Sequence, residues 1–105
     1  MYFWQRQVVE RRYLNNLNGF RLTRPIGVRV EQWEAADHGR RWFTASTDVA
    51  IPHGYGFSPD AAVDDLADSI VEYYAELARL RQECGFSSDA LDRLDELIVD
   101  GDLNE

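Results

Sequence analysis

Lysine is absent from the chain, and cysteine occurs once, at Cys84. A lone cysteine excludes an internal disulfide, and no cluster of cysteine and histidine has the spacing of a zinc site. No apolar run approaches the roughly 20 residues that a membrane-spanning helix requires. The opening residues, Met1-Tyr2-Phe3-Trp4-Gln5-Arg6, lack the apolar stretch and small-residue cleavage site of a signal peptide, so the expected location is cytoplasmic. Histidine is scarce as well. His38 falls in an expected turn and His53 beside Pro52 and Gly54, and neither neighbours a serine or cysteine nucleophile in a known motif. Gly54-Tyr55-Gly56 lacks the further glycines and the lysine of a phosphate-binding loop, which leaves turn geometry as its role. Cys84 sits at a helix end, where the dipole disfavours a thiolate. Catalytic residues, metal ligands and a cofactor are therefore not expected.

What is present fits one globular domain over residues 1–105. Hydrophobic residues make up 45% of the chain and aromatics 12%, enough for a core. Charge is unevenly placed. Residues 1–54 hold eight arginines against five acids, and residues 55–105 hold three against fourteen, which together give the net −8. An acidic second half is repelled by phosphates, so nucleic acid is not the expected partner. It suits a basic protein, because complementary charge speeds encounter. A solvated helix face that keeps the chain soluble explains the same acids equally well.

The clearest element is a helix over 59–83. Ser58 is a good N-cap, Pro59 suits the first helical position, and Asp60, Asp64 and Asp65 place negative charge near the positive helix end. Val63, Leu66, Ala67, Ile70, Tyr73, Tyr74, Leu77 and Leu80 share one apolar face, and Gly85 suits the left-handed cap. A shorter helix is expected over 89–99, capped by Ser87 or Ser88, with a frayed tail after it. Upstream, Val28 and Val30 alternate with Arg29 and Glu31 in a run that continues through Trp33. With a turn at Asp37-His38-Gly39 and a β-rich run over 42–48, this predicts a hairpin. A short third strand within 51–57 follows, at a sheet edge. Val9, Tyr13 and Leu17 give helical spacing to 5–17, broken by Asn15, Asn16, Asn18 and Gly19, and 20–23 reads as a short strand. An apolar helix stripe must be buried, and the sheet is the available surface. The expected fold is α+β, a two-layer sandwich of about three antiparallel strands under a long helix, plus a short C-terminal helix.

Residues 28–77, VRVEQWEAADHGRRWFTASTDVAIPHGYGFSPDAAVDDLADSIVEYYAEL, resemble the HicB-like antitoxin family and its partial RNase H-like fold. The passage Gly54-Tyr55-Gly56-Phe57-Ser58-Pro59-Asp60-Ala61-Ala62 looks like that family's glycine-bounded step from strand into a capped, acidic helix. The resemblance implies a core over 27–84, with 1–26 outside the pattern as an N-terminal extension and 85–105 a short helix and tail. It also implies a toxin–antitoxin setting. Many members carry a separate DNA-binding domain after this core; the segment expected at 89–99 is a single short acidic helix, so DNA binding is not carried over.

An RNase H-like topology directs attention to metal-binding carboxylates, yet Glu31, Glu34 and Asp48 show no convergent spacing. Aromatics interleaved with arginine can stack on single-stranded nucleic acid, but strand aromatics more often fill a core, and Trp, Tyr and Arg also anchor protein interfaces. The expected function is that of a non-enzymatic inhibitor neutralising a basic, RNA-cleaving toxin. Asp64, Asp65, Asp68, Glu72 and Glu76 would face the partner, with Tyr55 and Phe57 at a sheet edge supplying contact or homodimer pairing. The alternative is an acidic assembly subunit or nucleic-acid mimic in a phage-defence or counter-defence complex.

Overall fold

The computed structural model describes residues 4–35 and 41–99. The turn expected at Asp37-His38-Gly39, His38 itself and the frayed tail lie outside the described residues. The described residues form five strands and two helices in the order β1 (Trp4–Leu17), β2 (Phe20–Ala35), β3 (Arg41–Ser46), β4 (Gly54–Gly56), α1 (Pro59–Cys84), α2 (Asp89–Leu97) and β5 (Ile98–Val99). The sheet is antiparallel, in the order β1-β2-β3-β4, and β5 pairs with β2. The α+β sandwich is as expected, with more strands than the three anticipated.

The extra strand corrects the expected helix over 5–17, which is β1, paired along most of its length with β2. Asn18 and Gly19 decide this. Their φ angles of 37° and 103° form a two-residue turn with Leu17 opposite Phe20. Asn-Gly is favoured where both turn residues need positive φ, because that turn matches the twist of the flanking strands. The register then slips. Asn16 faces Arg21, but Leu14 faces Ile26, so residues 22–25 are unmatched on that side. Pro25 sits in this irregularity, where its missing N–H leaves no gap in the ladder.

Along β2 the side chains alternate cleanly. Ile26, Val28 and Val30 are buried, whereas Gly27 and Arg29 are exposed. The buried set meets α1, whose Val63, Leu66, Ala67 and Ile70 join the same core. The helix starts where the sequence indicates. The Ser58 hydroxyl accepts from the Ala61 N–H at 3.1 Å, and Gly85, with φ 71°, donates its N–H to the Arg81 carbonyl at 3.0 Å.

Contact between α1 and β4 is closer than any side chain permits. A Cβ on Gly54 would lie 2.8 Å from Leu66 Cα, and closer still to the Ala62 carbonyl oxygen and the Leu66 nitrogen. On Gly56 it would lie 2.6 Å from Ala61 Cβ and 2.7 Å from the Ala62 nitrogen. Both glycines therefore serve backbone-to-backbone approach, with Ala61 and Ala62 the small residues that meet them.

The second helix closes the other end of the core. Ser88 caps it, Leu91, Leu94 and Leu97 are buried, and Thr23 Oγ1 donates to the Glu96 carbonyl at 3.0 Å. It stops at Leu97, two residues short of the expected end, because Ile98 turns extended and pairs with Leu22. Replacing Leu66 or Ile70, both fully buried, by alanine is expected to lower stability by roughly 2–5 kcal/mol. Urea unfolding reads this directly, and an unchanged midpoint contradicts the docking of α1.

Candidate functional site

The solvent side of α1 carries the carboxylates singled out in the sequence. Asp64, Asp65, Asp68, Glu72 and Glu76 are all exposed. Four of them, Asp64, Asp68, Glu72 and Glu76, recur every four residues, a rise of about 6 Å per step. Their surroundings differ. Asp65 Oδ2 accepts the Tyr55 backbone N–H at 2.9 Å, Asp68 accepts from the Asn18 amide, and Glu76 pairs with Arg79, which also reaches Glu83 at 2.9 Å. Asp64 and Glu72 have no such bond among the described residues. The first turn belongs to another network, in which Arg12 of β1 bonds Asp60 at 2.6 Å and Glu10 at 2.5 Å. The Asp60 hydrogen bond is the main reason the Arg12 guanidinium holds its proton more firmly than usual.

The two aromatics expected beside these acids are not gathered with them. Tyr55 is 60% exposed but pairs opposite Thr44, so its ring lies on the sheet face away from α1. Phe57, 88% exposed, projects from the link between β4 and the helix cap. Because the Tyr55 N–H is given to Asp65, strand pairing along β4, the route expected for a homodimer, has to displace that bond.

The helix-free face of the sheet is a second surface, built by register. One cross-strand row reads Arg11, Arg29 and Ser46, the next carries Glu31, Thr44 and Tyr55, and the next Trp33 and Trp42. The two indoles stack at 6.1 Å between centroids, 6° from parallel, and Trp33 Nε1 donates to Thr44 Oγ1 at 3.1 Å. Around them lies a hollow of about 390 Å³, lined by Glu31, Trp33, Trp42, Thr44, His53 and Tyr55. A second hollow, of about 160 Å³, is lined on the same face by Arg11, Tyr13, Arg29, Ser46, Thr47 and Asp48. Arg11 and Arg29 face each other across the strands with no ion pair or hydrogen bond among the described residues. Sequence reasoning missed this pair, because a helical reading of 5–17 gives Arg11 no cross-strand neighbour.

The candidate metal carboxylates are dispersed. Neighbours of opposite pleat separate Glu31 from Glu34, and Glu34 pairs with Arg41 at 3.4 Å. No group of three His, Cys, Asp or Glu among the described residues could hold a metal ion. Cys84 is exposed, its thiol bonded to the Leu80 carbonyl at 3.2 Å. No described helix is long and apolar enough to cross a membrane.

No family model, curated protein or solved structure matches the chain.

One polar lock joins the helices. Asp95 of α2 accepts from the Tyr74 hydroxyl at 2.7 Å and from Arg81 at 2.6 Å. The Tyr74 bond, then Arg81, hold the Asp95 carboxyl below its ordinary value of 3.8. A lowered folded value means that the ionised form stabilises the fold. The contribution is full above the ordinary value and is lost as pH falls through the lower folded one. Asp95→Ala is expected to cost about 1 kcal/mol near neutrality, given its partial exposure. The gap between wild type and variant should close in acid unfolding below the ordinary Asp range. A gap independent of pH contradicts the lock.

Proposed function

We propose that the protein is a non-enzymatic, antitoxin-like inhibitor that binds a basic protein partner through the solvent face of α1. The observation that carries this reading is the run of exposed carboxylates at four-residue spacing, two of which, Asp64 and Glu72, are unoccupied by any group of the described chain. A fold that leaves such charges unpaired on a rigid, double-capped helix presents them preorganised to cations. The toxin setting comes from the resemblance of residues 28–77 to HicB-like antitoxins, a stretch that here forms β2 in part, β3, β4 and most of α1. An RNA-cleaving toxin is the natural target, because a protein that holds phosphates offers the arginines and lysines this face would meet. Tyr55, on the other side of the sheet, is not part of this contact, and Phe57 lies at its end.

Co-expression with a candidate small, basic, RNA-cleaving toxin tests the proposal. Wild type is expected to restore growth and to purify with that one protein. Reversing the two unpaired charges, Asp64→Lys with Glu72→Lys, should slow association on the order of tenfold at low salt and flatten its salt dependence. Unchanged rate and rescue contradict the acidic-face reading. Purification within a many-subunit complex instead favours the assembly role.

A further inference from the structure

We infer that the helix-free face of the sheet binds single-stranded nucleic acid, with phosphates at Arg11 and Arg29 and bases on the aromatic hollow around Tyr55.

Two like charges meet on this face. Like charges directly opposite on neighbouring strands repel, and Arg11 faces Arg29 in register with no carboxylate bonded to either among the described residues. Ser46 continues the row across β3, and Tyr13 and Thr47 add hydroxyls to the same hollow. Two guanidinium groups beside hydroxyl donors form a site for an anionic oxygen group, since arginine matches phosphate geometry. Asp48 also lines the hollow, and the two arginines outweigh it.

Stacking chemistry lies further along the same strands. From Arg29 to Trp33 is four residues of β2, about 13 Å of strand, a distance that a few nucleotides bridge. At that end Tyr55, 60% exposed, stands over the hollow lined by Glu31, Trp33, Trp42, Thr44 and His53. Glu31 is not a free charge there, since it has an interaction of its own. A cationic track beside an aromatic platform is the combination by which sheets bind single strands, and stacking tolerates any base. A purely acidic polypeptide such as polyglutamate would use the arginines but has no ring to stack on the aromatics, whereas a single strand uses both hollows.

The net charge of −8 does not oppose this. Seven of the nineteen acids lie on α1, with the sheet between them and these arginines. Glu31 and Asp48 are the acids lining the two hollows of the bare face. Electrostatic attraction between separate exposed charges fades over about 8 Å at physiological salt. The antitoxin proposal concerns the opposite face, and the two stand or fall separately.

Fluorescence anisotropy with a labelled oligouridylate of about 12 nucleotides, against the same length of duplex RNA and against polyglutamate, tests it at about 50 mM salt. The full-length protein should bind the single strand in preference to the duplex. Arg11→Gln with Arg29→Gln should weaken binding at least tenfold and lower the salt slope by about 1.4, since each single-strand phosphate neutralised contributes about 0.7. This double variant removes a repulsion, so its fold is expected to persist, and near-ultraviolet dichroism checks that. Tyr55→Ala, at an exposed side chain, should weaken binding roughly tenfold without changing the slope. Failure to bind the oligonucleotide, equal binding of duplex, or affinity untouched by these substitutions overturns the inference. Binding of polyglutamate alone also overturns it and assigns the face to an acidic protein.

Discussion

Everything the molecule presents depends on how closely α1 lies on β4. Gly54 and Gly56 let the helix backbone settle on the strand at a distance that no Cβ allows, and Ala61 and Ala62 face them with minimal side chains. That contact fixes the rotation of the helix about its own axis. Leu66 and Ile70 then point into the core beside Val28, Val30 and Ala45. The same rotation carries Asp65 to the Tyr55 N–H and turns Asp64, Asp68, Glu72 and Glu76 to solvent. A bulkier strand would lift the helix, weaken the core and move the carboxylates together.

Because a helix covers only one face of the sheet, the layers also separate charge. The outer side of α1 is a carboxylate surface, and the bare side of the sheet carries Arg11, Arg29 and the stacked tryptophans. A single net charge averages two surfaces of unlike chemistry. The acidic total argues against nucleic acid only on the helix side. On the other side, local pairing and spacing set the charge that a ligand would meet.

Much of this was legible in the sequence. Ser58, Pro59, Gly85 and the apolar stripe of α1 act through contacts a few residues apart, so spacing alone reveals them. The α+β class followed, because such a stripe needs a sheet to cover it. The N-terminal strand was not legible. Its inner face mixes Glu10 and Arg12 with Leu14, so alternation is blurred, and Val9, Tyr13 and Leu17 happen to repeat every four residues. Asn18-Gly19 held the missing information as a hairpin turn. Even so, a regular hairpin about that turn would place Arg11 opposite Ile26. Only the slip at residues 22–25 brings it to Arg29. Such a slip is a tertiary outcome, tied to Pro25 and to the pairing of Leu22 with Ile98. Long-range bonds such as Tyr74 to Asp95 were hidden for the same reason.

The close approach is tested most directly by comparing two glycines of the same sheet. At a site with room and without positive φ, alanine for glycine stabilises by about 0.4–1 kcal/mol through the unfolded chain. Gly27 is such a site, its added Cβ meeting only Tyr13 Cε1 at 3.8 Å. Gly27→Ala should therefore leave the unfolding midpoint unchanged or slightly raised, while Gly54→Ala should lower it sharply or abolish cooperative unfolding. Equal midpoints for the two variants would contradict the packing on which both surfaces rest.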